Sequence, residues 1–209
     1  MPQGSVSGPL LFLIYINDIS EDLINMAFLF ADDSSLFRKI VDGNIAAAVH
    51  DINYDLEKIN SWAKQWLVQI NASKTVVMLF SRKTSPSQLP AIILDGAVLK
   101  LVKSHKHLGI TLMSSLSWTE HIDLTSGKSN RVLGMLKRFK YRWSRATLEI
   151  CYKSFIRPII EYGNIIYDLC TIADSDKLES VQLAAARLVT GAKKGTSHEP
   201  LYRELGWQT

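Results

Sequence analysis

The pattern of hydrophobic and polar positions predicts mixed helices and strands in the first half of the chain. Ser7 and Pro9 lead into an apolar run over residues 10–16. Because proline after serine is a frequent helix start, a short helix is predicted there. Brief apolar runs at residues 26–30 and 36–37 flank a polar stretch. This arrangement predicts two short strands around a tight turn, with acidic residues at its tip.

Residues 45–66 have the periodicity of a long amphipathic helix. Such a helix packs one face onto a core and leaves the other in water. Further along, residues 75–80 are rich in strand-forming side chains, and Asp95-Gly96 between apolar runs is a hairpin signature. Strands are therefore predicted to continue to about Met113. The apolar positions that define the long helix are Ile45, Val49, Ile52, Leu56, Ile59, Ala63 and Trp66.

Beyond Ser117 the pattern becomes helical, and no internal repeat is visible. The predicted fold class is therefore α+β, with a mixed part over residues 1–115 and a helical part over residues 116–209. Helices are predicted over residues 122–139, 147–156 and 177–189, with a cap at Ser144, a cap at Asp174 or Ser175, a breaker at Pro158 and a stop at Gly191.

The composition is that of an ordinary globular chain, with 209 residues, 47% of them hydrophobic and 21% charged. This length allows one full domain or two small ones. Cys151 and Cys170 fit neither a zinc pattern nor a disulfide framework, which favours a reducing interior. Acidic residues interrupt the apolar beginning, so no membrane span is predicted. No signal peptide is expected, because Met1 is followed by Pro-Gln-Gly and not by a basic stretch and an apolar core. The five histidines lack metal-binding spacing.

The net charge of +4 is concentrated in one region. Residues 126–146 contain seven basic side chains and no acid, with three aromatic residues among them. Basic side chains on one helical stretch neutralise phosphates without reading sequence, which predicts contact with a nucleic-acid backbone. The alternative is a solvated helix face, although such faces usually mix charge signs. The basic residues are Lys128, Arg131, Lys137, Arg138, Lys140, Arg142 and Arg145, and the aromatic ones are Phe139, Tyr141 and Trp143.

Asp32 and Asp33 are the leading candidates for chemistry. Two adjacent carboxylates on a tight turn offer hard oxygen ligands, which suit Mg²⁺ held by one or two carboxylates and substrate phosphates. By themselves, paired acids in a turn are more often simple turn formers. A glycine-containing loop over residues 2–9 lies a short span upstream and strengthens the metal interpretation. Trp62 and Trp66, four residues apart, are interpreted as packing residues.

Residues 2–18 and 30–33 resemble the adjoining B and C motifs of reverse transcriptases encoded by non-LTR retrotransposons, especially jockey-like ones. The likeness extends over nearly the whole chain. Residues 71–75 resemble motif D of that family. Residues 107–110 with 116–118 resemble its primer-grip turn and the adjoining segment, and residues 152–158 with 161–162 resemble part of its thumb. The resemblance implies a partial polymerase palm over residues 1–115 and a thumb-like helical region after it.

The resemblance also implies roles for individual residues. Asp32 and Asp33 would be palm carboxylates that bind Mg²⁺, with Mn²⁺ as a substitute, and Asp32 would be the direct ligand. The partners would be an RNA template, a DNA primer and deoxynucleoside triphosphates, in the nucleus. In the remaining roles, Gln3 and Gly4 would border the incoming nucleotide and template base, Phe30 would face the primer end, Lys74 would lie near the phosphates, and Leu108 with Gly109 would hold the primer.

A polymerase of this kind needs a third carboxylate, which the family supplies from a motif upstream of the glycine loop. This sequence starts at Met1 with the loop itself, so that motif and the fingers are expected to be absent. We therefore expect the isolated chain to bind primer–template weakly and to synthesise little or no DNA. Two alternatives stay open, namely an inactive nucleic-acid-binding remnant and a host protein that uses the palm scaffold for interaction. Two positions differ from the residues common in the family: Ser7 stands where leucine is frequent, and Met113 stands where an aspartate often follows the primer-grip strand.

Overall fold

A computed structural model describes residues 4–81 and 89–207 of the chain. The chain forms two compact units. The first comprises Met1–Leu79 with Lys83–Val102, and the second comprises Phe80–Arg82 with Lys103–Thr209. The first combines helices with short strand pairs, and the second is mainly helical. This confirms the predicted α+β class. The boundary near residue 115, which concerned palm and thumb regions, stays a prediction.

The helices of the first unit are α1 (Gly8–Ile16) and α2 (Ile45–Gln65), with a short 3₁₀ helix at Asn17–Ser20 after α1. Helix α1 begins where Pro9 favours a helical start, as predicted. Helix α2 is capped by Asn44, whose side chain accepts a hydrogen bond from the Ala47 amide at 3.0 Å. Its apolar face forms a core with residues of the later strands, as its periodicity predicts.

Within its described residues, the first unit has three two-stranded sheets. The predicted hairpin around the Asp95-Gly96 turn is present, and both turn residues have positive φ, 49° and 77°. The stretch over residues 75–80 contributes only a two-residue strand. The antiparallel pairs are β1 (Met26–Phe30) with β2 (Asp33–Phe37) and β4 (Ile93–Leu94) with β5 (Ala97–Val98), and β3 (Val76–Val77) runs parallel to β6 (Lys100–Leu101).

In the part of the chain that the structure describes, the second unit has an antiparallel hairpin followed by six helices. Its main core lies between α3, α4, α5 and α7 and includes the fully buried Ile156, Leu133 and Val181. A smaller core lies between α7 and α8. The elements are β7 (Ser104–His107), β8 (Ile110–Met113), α3 (Thr119–Lys137), α4 (Arg145–Phe155), α5 (Arg157–Glu161), α6 (Asn164–Tyr167), α7 (Ile172–Thr190) and α8 (His198–Leu205).

In this unit the predicted cap at Ser144 and the predicted stop at Gly191 are confirmed, and the predicted cap of α7 is wrong. Ser144 caps α4, and Gly191 ends α7 with a φ of 75°. The predicted cap at Asp174 or Ser175 is instead Thr171, whose hydroxyl accepts from the Asp174 amide at 3.2 Å. Asp174 is buried within the first turn, where it accepts hydrogen bonds from Thr119 and Thr171. Within the described residues, no helix is long and apolar enough to cross a bilayer.

Candidate functional site

The paired carboxylates lie at the tip of the β1–β2 hairpin. Phe30 pairs with Asp33, so Ala31 and Asp32 alone form the connecting turn. Two-residue hairpin turns require positive φ, and Ala31 has a φ of 51°, which is uncommon for a residue other than glycine. The sequence prediction of two acids at a strand-connecting tip is confirmed, and both are exposed.

One face of this hairpin is anchored and the other is open. Residues opposite each other in an antiparallel pair point to the same side, so Phe30 and Asp33 share a face. Phe30 is 64% exposed there. On the opposite face, Leu36 packs against the core that includes Val49 and Leu56 of α2. The Phe30 ring and the Asp33 carboxylate are therefore exposed on one face of the hairpin, while Leu36 on the other face is packed against the core.

A buried carboxylate on α2 accepts hydrogen bonds from the residues that directly precede β1. Asp55 is fully buried and accepts hydrogen bonds from the Ile24 amide at 2.9 Å, the Asn25 amide at 2.8 Å and the Asn25 side chain at 2.7 Å. These donors directly precede the strand that carries the acidic tip. The role of Asp55 was not predicted from the sequence. An acid three residues after Ile52, on the apolar face of α2, does indicate a buried carboxylate with hydrogen-bond partners.

The glycine-containing loop is described only in part. Gln3 lies outside the described residues. Gly4 is exposed with a φ of 88°, a conformation that glycine adopts without steric cost. Helix α1, which follows the loop, contacts α2 through Tyr15, whose ring meets Trp62 and Trp66 edge-on at 6.0 and 5.7 Å. The two tryptophans are therefore packing residues, as their spacing predicted.

Lys74 belongs to a tight turn organised by Asn71. The Lys74 amide donates to the Asn71 side chain at 3.1 Å, and the Thr75 hydroxyl donates to the Asn71 carbonyl at 2.9 Å. The Lys74 side chain is exposed, and no hydrogen bond or ion pair within the described residues joins it to the aspartate pair. Its proposed proximity to phosphates stays a prediction.

The donor set at the hairpin tip fits Mg²⁺ in part. Carboxylate oxygens are hard ligands, and Mg²⁺ is often bound by only one or two of them together with substrate phosphates and water. Among residues 4–81 and 89–207, no group of three or more His, Cys, Asp or Glu residues converges. Asp18 instead accepts a hydrogen bond from the Trp62 indole at 2.9 Å. Asp32 and Asp33 are therefore the candidate metal ligands of the described chain.

The turn between β7 and β8 is held by a distant tyrosine. Leu108 and Gly109 have φ values of 45° and 86°, as a two-residue hairpin turn requires. The Tyr162 hydroxyl donates to the Leu108 carbonyl at 2.8 Å. A Cβ atom added at Gly109 would lie 2.7 Å from Tyr162 Cε1, so only glycine fits beneath the ring. The sequence identified both segments but did not predict this contact between them.

Beneath the same hairpin, His121 of α3 is buried and neutral. The Thr111 amide of β8 donates to His121 Nδ1 at 3.2 Å, which requires that this nitrogen carry no proton. Burial, reinforced by the charge of Lys106, lowers the pKa of His121 below its usual value. The ring therefore joins the strand pair to the helical core only in its neutral form.

The seven basic residues are divided among two helices and the linker between them, and are not carried by one helical stretch as predicted. Arg145 forms an ion pair with Glu204 of α8. The other six have no ion-pair partner within the described residues. The acids nearest to them in sequence pair with other lysines, Asp123 with Lys177 and Glu149 with Lys153. Lys128, Arg131 and Lys137 lie on α3, Arg138, Lys140 and Arg142 lie in the linker, and Arg145 begins α4.

The chain is similar in sequence to known proteins over most of its length. A family model described as reverse transcriptase (RNA-dependent DNA polymerase) matches residues 1–120. The chain is 28% identical over 205 residues to the RNA-directed DNA polymerase from mobile element jockey of Drosophila melanogaster, covering 92% of this chain and 22% of that protein.

Two further relatives are similar at the same level. The probable RNA-directed DNA polymerase from transposon BS of Drosophila melanogaster is 28% identical across 100% of this chain and 24% of its own length. The Pol polyprotein from the type-1 retrotransposable element R1 of Bradysia coprophila is 28% identical across 79% of this chain and 17% of its own length. The chain thus spans about a quarter or less of these relatives. No solved structure matches.

Proposed function

The chain belongs to the reverse transcriptase family, and from that premise we propose that it is part of an RNA-directed DNA polymerase of a non-LTR retrotransposon, acting in the nucleus. The observation that carries the proposal is the pair of exposed carboxylates, Asp32 and Asp33, at the tip of an anchored hairpin within the matched residues. The substrates would be an RNA template, a DNA primer and deoxynucleoside triphosphates.

Asp32 and Asp33 would hold Mg²⁺ at the hairpin tip, with Mn²⁺ as a substitute. Bound there, two such ions would stabilise the attacking primer oxygen and the leaving pyrophosphate oxygen. The protein would position the two carboxylates. Asp55 fixes the start of β1, Leu36 anchors β2 on the core, and the two-residue turn restricts the movement of the carboxylates. Phe30, on the same face as Asp33, would pack against the primer end.

Further residues of each unit would contact the incoming nucleotide or the primer–template. Gln3 and Gly4 would border the incoming nucleotide, and the positive φ of Gly4 supports a close backbone approach. Lys74 would neutralise phosphate charge. The Leu108-Gly109 turn would support the primer strand.

The basic residues of α3 and the following linker would bind the nucleic-acid backbone. Six of the seven lack an acidic partner within the described residues, so their charge is available to phosphates. Contacts of this kind carry no sequence information, which suits a duplex that must slide during synthesis.

A second candidate function is that of a nucleic-acid-binding remnant without catalysis. The observation that favours it is that no third acidic, histidine or cysteine ligand joins the aspartate pair within the described residues. The two candidates differ in the role of the carboxylates. A polymerase site needs them, whereas a remnant would bind nucleic acid through its basic residues alone.

The experiment is primer extension on an RNA template with Mg²⁺, together with primer–template binding by fluorescence anisotropy. The 209-residue chain is compared with Asp32→Asn/Asp33→Asn and with Asp42→Asn, which neutralises another exposed turn carboxylate. The polymerase proposal expects Mg²⁺ to tighten binding, and only the double variant to lose that effect. Equal, Mg²⁺-independent binding by all three would favour the remnant.

Extension by the wild-type chain that disappears in the double variant would show that these carboxylates complete a working site. That result would refute our expectation of little or no synthesis by the isolated chain. Absence of any nucleic-acid binding would contradict both candidate functions.

A further inference from the structure

The linker between α3 and α4 is a compact turn built by its own aromatic residues. We call residues 138–144 the aromatic linker. The amides of Arg142 and Trp143 donate to the Phe139 carbonyl at 2.9 and 3.0 Å. The Phe139 and Trp143 rings stack with centroids 4.2 Å apart and planes only 8° from parallel. Ring stacking and backbone hydrogen bonds thus define the conformation of the linker.

Tyr141 lies between these two rings in sequence but takes no part in their packing. It is 92% exposed. Its only ring contact within the described residues is Lys140, whose Nζ lies 5.5 Å from the ring centroid. A tyrosine ring has a large apolar face, and in Tyr141 that face is exposed to solvent. The turn that carries it is stabilised by the stacking of Phe139 on Trp143.

Basic and aromatic residues alternate around Tyr141 in the sequence. Arg138, Lys140 and Arg142 flank it, and none has an ion-pair partner within the described residues. A second tyrosine of the chain provides a contrast. Tyr54 also carries a lysine over its ring, Lys58 at 5.0 Å, but Lys58 Nζ donates to a backbone carbonyl at 2.6 Å.

We propose that the aromatic linker binds unpaired nucleotides, with a base stacked on the Tyr141 ring and phosphates on Arg138 and Arg142. Every base has a π face, so an exposed aromatic ring beside cations binds single strands with little sequence preference. Bases inside a duplex are covered by their neighbours, so the ring selects single-stranded over duplex nucleic acid. This inference rests on the proposed function and adds a base-binding site to its backbone contacts.

The test is binding of a labelled oligouridylate of about 12 nucleotides, measured by anisotropy over a range of salt concentrations. A deoxyoligonucleotide of the same length distinguishes RNA from DNA as the bound strand, and a blunt duplex of the same length measures backbone binding. The proteins are wild type, Tyr141→Ala, Tyr141→Phe and the matched control Tyr54→Ala. Thermal unfolding of each variant verifies the fold.

Loss of one stacked base weakens binding about tenfold, so we expect that increase in Kd for Tyr141→Ala with at least one of the two single strands. Tyr141→Phe keeps the ring and is expected to bind as wild type, and so is Tyr54→Ala. Duplex binding should change little. The slope of log K against log salt should stay the same for Tyr141→Ala, because no charge is removed.

Equal single-strand binding by wild type and Tyr141→Ala would overturn the inference while leaving the proposed function intact. An equal loss for Tyr141→Phe, or an equal loss of duplex binding, would also overturn it, because the ring face would then not be the contact. Failure of the wild-type chain to bind any of the three ligands would overturn both the inference and the proposed function.

Discussion

Substitution of Gly109 by alanine tests the contact between the β7–β8 turn and Tyr162. At a φ of 86° an L side chain costs about 1–2 kcal/mol. The added Cβ would also lie 2.7 Å from Tyr162 Cε1, so the ring must move and its hydrogen bond to the Leu108 carbonyl is lost. Because Tyr162 is half exposed, that bond contributes about 0.5–1 kcal/mol. We expect Gly109→Ala to destabilise the second unit by about 1.5–3 kcal/mol.

The assay is a double-mutant cycle with Tyr162→Ala, measured by urea unfolding. Hydrogen exchange of the α7 amides, which lie in the core of the second unit, assigns the transition to that unit. With the ring removed, only the conformational cost of alanine remains, so the two substitutions should couple by about 1 kcal/mol. Gly191→Ala is the matched control, because Gly191 has a φ of 75° and no atom within 4 Å of an added Cβ.

The contact is refuted if Gly109→Ala costs the same free energy with and without Tyr162. Coupling of Gly191→Ala to Tyr162→Ala by a similar amount would also contradict it, since the effect would then not be steric. Tyr162→Phe adds a further check. It keeps the ring over Gly109 and removes only the hydrogen bond, so it should cost less than Gly109→Ala.

Three further predictions concern the anchor of the acidic hairpin, the buried histidine and the basic helix. Asp55→Ala leaves two backbone amides without acceptors and should destabilise the first unit by about 2–4 kcal/mol, measured by urea unfolding; a cost below about 1 kcal/mol would contradict the anchor. The lowered pKa of His121 means that neutral His121 stabilises the second unit fully above its unfolded pKa of about 6.5, and that this stability is lost as pH falls through the lower folded-state pKa. Thermal unfolding from about pH 8 to 5 should therefore show a decline that His121→Gln reduces. Lys128→Gln/Arg131→Gln should reduce the salt slope of duplex binding by about 0.9 for each phosphate that these side chains neutralise, and an unchanged slope would remove both residues from the interface.

Local chemistry allowed much of the fold to be predicted from the sequence. The periodicity of α2, the proline that begins α1 and the turn residues Asp95-Gly96 act within a few residues, and the structure agrees with each. The acidic tip was predictable for the same reason, since apolar runs on both sides of a polar turn define a hairpin.

Features that depend on contacts between distant residues were not predictable in this way. Tyr162 meets Leu108 across 54 residues, and Asp55 meets Asn25 across 30. The cap of α7 was misassigned because aspartate is a residue type that often caps helices. Asp174 is instead buried, and its carboxylate accepts a hydrogen bond from Thr119, 55 residues away. Helix α8 was not predicted, because an eight-residue helix offers few turns in which a period can be recognised.

The exposure of Tyr141 could not be predicted from the sequence either. Three aromatic residues alternate with basic ones over residues 138–143, and the pattern does not say which rings pack together. The stacking of Phe139 on Trp143 distinguishes them and leaves Tyr141 in solvent.

The most direct test of the central claim is Mn²⁺ binding followed by electron paramagnetic resonance in the presence of primer–template. We propose that Asp32 and Asp33 bind a divalent metal together with nucleic-acid phosphates. We predict that the wild-type chain and Asp42→Asn bind Mn²⁺ more tightly when primer–template is present, and that Asp32→Asn/Asp33→Asn does not. Equal Mn²⁺ binding by all three proteins would contradict the assignment of this hairpin tip as the metal site.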